Sequence, residues 1–159
     1  MLKVRSFKQP AKLCGPTSLR MVLDFYGVKI TEKEIIKLAK YDEKKMDKKD
    51  NTGAKRLADG AKSLGFQAFV KDNSRLEDVR HYVLKKKVPV IVNWFSETEG
   101  HYSVVVDIDK KQITLRDPET GGLRKIPLKT FEDIWFDFSP HHIRTPNSLV
   151  VKRMIVVER

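Results

Sequence analysis

The sequence predicts an α+β protein, with helices in its first half packed on a mostly antiparallel sheet formed by its second. Two observations carry this. Apolar residues recur at helical spacing as far as residue 86, and from residue 88 they occur in short runs and alternations cut by turn residues. Helices thus come first and mostly antiparallel strands second, which is the α+β pattern.

The first helix is expected over residues 14–26, where Leu19, Val22, Leu23 and Tyr26 share a face. Pro16 suits its first turn and Gly27 its end. A second helix starts at Thr31, whose capping box needs Glu34. A third spans residues 53–64 and stops at Gly65. Phe66, Ala68 and Val70 alternate as a short strand. A fourth helix covers residues 75–86, with Leu76, Val79 and Val83 on one face. VPVIVNWF is then a buried strand. HYSVVVDID and QITLRD form a hairpin around residues 109–111. LRKIPL is a strand, LKTFEDIWF a short helix and LVVKRMIVV a final strand. The charged run YDEKKMDKKDN, residues 41–51, is expected as a solvated loop.

The 159 residues suit one domain, 1–159, and 40% apolar content with two Trp and eight Phe allows a real core. Lys plus Arg outnumber Asp plus Glu by 32 to 21, a net charge of +11. The lysines are scattered rather than gathered in one arm, which fits a solvated surface better than a nucleic-acid site. The longest apolar stretches, such as residues 88–92, are far too short to span a bilayer, and the N-terminus lacks a signal-peptide core. A cytoplasmic location follows by default. A single cysteine forms no internal disulfide, which agrees with a reducing compartment, and builds no thiolate zinc site.

That cysteine is the candidate nucleophile. Cys14 lies at the start of an amphipathic helix, where the helix dipole and free N–H groups favour the thiolate. Gly15 beside it leaves room for an approaching carbonyl. A free cysteine is more often a small buried hydrophobe. His101 opens a strand next to the polar loop of residues 96–100, and Asp117 closes the following strand before a turn. A three-residue hairpin turn would set Asp117 opposite Ser103, with His101 its diagonal neighbour on the same face. A two-residue turn would put them on opposite faces. His81, His141 and His142 are expected at the surface, and Trp94, Trp135 and Phe136 in the core.

QPAKLCGPTSLRMVLDFYG, GHYSVVVDI and ITLRDPETGG, in the order Cys, His, Asp, resemble the bacteriocin-processing, double-glycine leader peptidases and their stand-alone relatives. The resemblance extends from Phe7 to about Phe138. It implies a papain-like cysteine peptidase fold that needs no metal or organic cofactor, with a peptide or protein substrate. Cys14 would be the nucleophile, His101 the general base and Asp117 its orienter. Gln9 would supply the oxyanion-hole amide, together with the Cys14 N–H, although it precedes Cys14 by five residues where the family usually has six. The implied reaction is hydrolysis of a peptide or isopeptide amide through a thioester, with small residues such as Gly-Gly before the cut. The same residues serve a papain-like acyltransferase, and an inactive binding module with a basic surface is the alternative from another class. The chain holds neither a membrane segment nor a nucleotide-binding domain, so coupling to export would need a separate partner.

Overall fold

The computed structural model describes residues 1–40, 53–138 and 144–159. Helix α1 (Cys14–Phe25) ends at Gly27, whose φ of 84° is the left-handed cap that glycine adopts most easily. Helix α2 (Glu32–Leu38) carries the expected capping box: Thr31 Oγ1 accepts from the Glu34 N–H, and the Glu34 carboxylate accepts from the Thr31 N–H. Helix α3 (Gly53–Ser63) is followed by strand β1 (Gln67–Lys71) and helix α4 (Leu76–Arg80). The chain then widens into a π-helical turn, His81–Lys86, and closes on left-handed Lys87 with φ 60°. The fourth helix is therefore not uniform, but Leu76, Val79 and Val83 still face inward.

The remaining strands are β2 (Val90–Ser96), β3 (Glu99–Ile108), β4 (Gln112–Asp117) and β5 (Gly122–Pro127). Helix α5 (Leu128–Ile134) leads to β6 (Phe136–Phe138), β7 (Leu149–Val151) and β8 (Arg153–Glu158). Six strands form one sheet in the order β1-β8-β2-β3-β4-β5, with every pairing antiparallel. The C-terminal strand thus fills the gap between β1 and β2. Strands β6 and β7 pair separately.

LVVKRMIVV is two strands rather than one. Lys152 turns left-handed, with φ 50°, and donates its N–H to the Trp135 carbonyl at 2.8 Å. This bend lets residues 149–151 pair with β6 and swings Arg153 into the main sheet. Phe136 likewise leaves the helix expected for LKTFEDIWF. It is half-buried and stacks on Phe95, with ring centroids 5.0 Å apart.

The sheet has a core on each face. One, including Leu19, Val22, Leu57, Val104 and Val106, lies under α1 and α3. The other, including Val90, Trp94, Val105, Leu115, Phe131 and Trp135, lies on the side of α4 and α5. Strand β3 feeds both, which makes it the natural carrier of a residue that must be rigid. The charged segment of residues 41–51, together with His141 and His142, lies outside the described residues. Exposed His81 is at the surface, as its charged helix implied.

Candidate active site

Helix α1 begins at Cys14 itself, and its N-cap, Leu13, offers no side-chain acceptor to the first N–H groups. Those donors point out of the helix unclaimed by a cap. The helix is fixed over β3 by Ser18, whose hydroxyl donates to the Tyr102 carbonyl at 3.2 Å. Gly15 also has a packing reason to be small. A Cβ there would lie 3.3 Å from a Leu57 methyl and 3.4 Å from the Tyr102 ring. Cys14 is free and half-buried.

His101 Nε2 and Asp117 Oδ1 are 2.7 Å apart, and the two residues are 5% and 0% exposed. Their meeting depends on a register the hairpin alone does not supply. Ile108 pairs with Ile113 and Asp107 with Thr114, and the Asp109 N–H donates to the Gln112 carbonyl at 3.0 Å, so the turn is the two residues Lys110 and Lys111 rather than three. Continued unchanged, that register would leave Asp117 on the face opposite His101. A bulge between Val105 and Asp107 removes the offset, and Val105 then pairs with Leu115 and Val104 with Arg116. Continuing from there sets Ser103 beside Asp117 and His101 diagonal to it. The Asp109 carboxylate holds the loop by accepting from the N–H groups of Lys111 and Gln112, at 2.6 and 2.8 Å.

Asp117 Oδ1 also accepts the Glu119 N–H at 2.9 Å. Arg124 Nε lies 3.1 Å from Asp117 Oδ2 as an ion pair. Burial pushes the Asp117 carboxyl up, but His101, the Glu119 N–H and Arg124 together hold it below the usual carboxylate range. Burial pulls His101 down, yet hydrogen bonding to Asp117 and the neighbouring Cys14 raise it to about 9. The imidazole therefore carries its proton through neutral pH. With Nε2 on Asp117, the ring's other nitrogen remains for Cys14.

Gln9 is clipped to the same corner. Its N–H donates to the Pro118 carbonyl at 2.7 Å, one residue after Asp117, and Ser6 bonds the Gly121 carbonyl. The Gln9 Oε1, an acceptor, is buried without a hydrogen-bond partner, so a donor role toward an oxyanion would fall to the amide N–H groups.

Trp94, expected in the core, is buried and also presents its ring edge-on to His101, with centroids 5.7 Å apart. Its indole N–H donates to Ser103 Oγ at 3.1 Å, which fixes the ring. On the other face of β3, Tyr102 lies against Gly15 and hydrogen-bonds Arg153, which is forked onto Asp72 at 2.7 and 2.9 Å. Burial holds the Tyr102 hydroxyl well above the ordinary phenol range.

His101, Asp117 and Glu119 are close enough to share an ion. The arrangement does not fit one well, because Asp117 already has the imidazole on one oxygen and the Arg124 cation on the other. Sequence reasoning missed Arg124 and Gly100. The signal for Arg124 was available: LRKIPL alternates, and an arginine at its inward position needs a buried anion.

Gly100 gives a first prediction. A Cβ at this position would collide with the Asp137 carboxylate, which accepts from Asn93 Nδ2 at 2.9 Å and the Phe138 N–H at 2.7 Å. Gly100→Ala should destabilise the fold by about 1–3 kcal/mol, because Asp137 must leave those donors or β3 must shift. Thermal unfolding measures this, and an unchanged midpoint would show that Asp137 yields freely.

The Peptidase_C39 like family matches residues 1–142. The transport/processing ATP-binding protein ComA of Streptococcus pneumoniae is 30% identical over 141 residues, which is 80% of this chain and 18% of that protein. The chain thus spans about a fifth of that transporter's length. An uncharacterised protein of Methanothermobacter thermautotrophicus is 33% identical over 143 residues, covering 88% of this chain and 82% of the other. Among solved structures, the Streptococcus ComA peptidase domain superposes with a TM-score of 0.70 at 19% identity, covering 98% of each chain. The double-glycine-motif protease of an AMS/PCAT transporter, in complex with the leader peptide, gives 0.69 at 21% identity, covering 98% and 91%. No helix among the described residues is long and apolar enough to cross a membrane. The extent of the family match and the shared architecture lead to one conclusion: the chain belongs to the Peptidase_C39 like family and has the papain-like cysteine peptidase fold.

Proposed function

We propose that this protein is a cysteine peptidase that hydrolyses a peptide amide through a thioester on Cys14, with His101 as acid and base and Asp117 as the residue that orients it. The observation that carries this reading is the buried His101–Asp117 pair, 2.7 Å apart, set beside the only cysteine of the chain at a helix N-terminus.

The Cys14 thiolate attacks the scissile carbonyl. The negative charge that develops on oxygen meets the Cys14 N–H at the uncapped helix start and the amide of Gln9. The tetrahedral intermediate collapses as the imidazolium of His101 gives its proton to the leaving amine. A thioester and a free amine result. Water then attacks the thioester, His101 takes its proton, and the acid product and thiolate are released. Asp117 remains ionised throughout and stabilises the imidazolium.

The substrate class follows from likeness. One relative of known structure is described as a double-glycine-motif protease and holds a leader peptide. By that likeness we assign this chain a peptide substrate cut after small residues such as Gly-Gly.

The test is a peptide library profiled by mass spectrometry, with Cys14→Ala as the control. Cleavage after Gly-Gly or another small pair, absent in the variant, is the expected result. Cleavage after bulky residues would end the small-residue specificity. No Cys14-dependent cleavage of any peptide, although iodoacetamide labels Cys14 in a His101-dependent way, would replace hydrolysis with acyl transfer to another acceptor.

A further inference from the structure

Arg124 stands two residues from Gly122, the β5 partner of Asp117, so it shares the face of Asp117 and reaches back over the sheet. Its guanidinium makes three contacts, one to β4 and two to β2. Nε lies 3.1 Å from Asp117 Oδ2 on β4, Nη1 donates to Ser96 Oγ on β2 at 3.0 Å, and the cation lies 5.5 Å from the centre of the Trp94 ring. Trp94 in turn meets His101 edge-on. The four side chains Trp94, His101, Asp117 and Arg124 therefore close a ring. Arg124 is its outermost member, and its side chain is 29% exposed where that of Asp117 is 0% exposed.

We propose that Arg124 is a positioning residue that locks the Asp117 carboxylate in line with His101 and roofs the imidazole–carboxylate pair against water. The inference rests on the peptidase reading for its consequence in catalysis, but its physical content does not.

Two properties of arginine make this role specific. The planar fork can serve a carboxylate and a hydroxyl at once while its face lies over an indole. Its fixed charge also competes with the imidazolium for the same carboxylate. The titratable and charged groups facing His101 are Cys14 from α1, Asp117 from β4, Glu119 from the following turn and, across Asp117, Arg124 from β5. Removing only the charge of Arg124 leaves Asp117 to act on His101 alone, so His101 should hold its proton to higher pH.

The experiment titrates the His101 ring by NMR in the wild type and in Arg124→Met, Arg124→Lys and Arg124→Gln, with Cys14 alkylation by iodoacetamide followed over the same pH range. Met covers Trp94 without the charge, Lys keeps the charge without the fork, and Gln is a second neutral variant should Met fail to fold. The expected result is an upward shift of the His101 midpoint on the order of half a unit in Met and Gln, and a midpoint near the wild type in Lys. Lys should nonetheless cleave peptide more slowly, because a single ammonium does not hold Asp117 and Ser96 together. An unchanged midpoint in both neutral variants would overturn the proposal. Alkylation at wild-type rates in the His101→Ala control would instead count against the peptidase reading, whatever the Arg124 variants do.

Discussion

Cys14→Ala should reduce peptide cleavage by on the order of 10⁴-fold or more, to the level of binding without chemistry. No other sulfur exists in the chain to take over the nucleophilic role except the thioethers of methionine, which form no thioester. The companion series at Asp117 separates orientation from chemistry. His101 is raised to about 9, so it meets Asp117 as an imidazolium with a proton on each nitrogen. An orienter of an imidazolium needs only to accept a hydrogen bond, and the side-chain oxygen of an amide can do so. Asp117→Asn should therefore retain roughly tenfold more activity than Asp117→Ala, the value of about one hydrogen bond. Steady-state kcat/KM on one peptide measures all three variants. Equal rates for wild type and Asp117→Ala would remove Asp117 from the mechanism, and residual Cys14→Ala activity above a tenth of wild type would remove Cys14.

The second large effect is of pH. The folded-state value of His101, about 9, is above its ordinary 6.5, so the stability it contributes is complete below 6.5 and is lost as pH rises through about 9. Asp117 is shifted the other way, below 3.8, so its contribution is complete above that value and is lost only in stronger acid. Between pH 6.5 and 9 stability should fall by up to about 1.4 kcal/mol per unit for the one proton involved. Peptide cleavage should fall over the same interval toward an alkaline limb near 9, because the leaving amine loses its acid. Urea unfolding at a series of pH values reads the first effect and a kcat profile the second. In His101→Ala the pH slope of stability in this window should flatten. A slope unchanged by that substitution would assign it to another group.

The candidate site was legible one residue at a time. Cys14 stood before Gly-Pro at a helix start, His101 at the opening of an alternating strand and Asp117 before a turn, and each feature is a local rule of backbone geometry or burial. The same rules gave α1, the capping box of α2 and the inward face of the segment that starts at Leu76. Gly15 was legible as a small residue beside the sulfur, but the packing that also asks for one was not, because Leu57 and Tyr102 arrive against it from distant parts of the chain.

The amino-acid sequence by itself determined the helical and strand periods, the order of Cys, His and Asp, and an α+β class, since all of these depend on neighbours within a few residues. Tertiary structure decided whether the three residues meet. The two-residue turn at Lys110 and Lys111 would have turned Asp117 away, and the bulge beyond Val105 turns it back, because each single-residue slip of a strand exchanges its faces. It also decided that the last apolar run divides at Lys152, and that Arg124 comes across the sheet to Asp117. Register, strand order and ion pairing are settled by contacts between segments far apart in sequence, whose energies no local pattern of residues records.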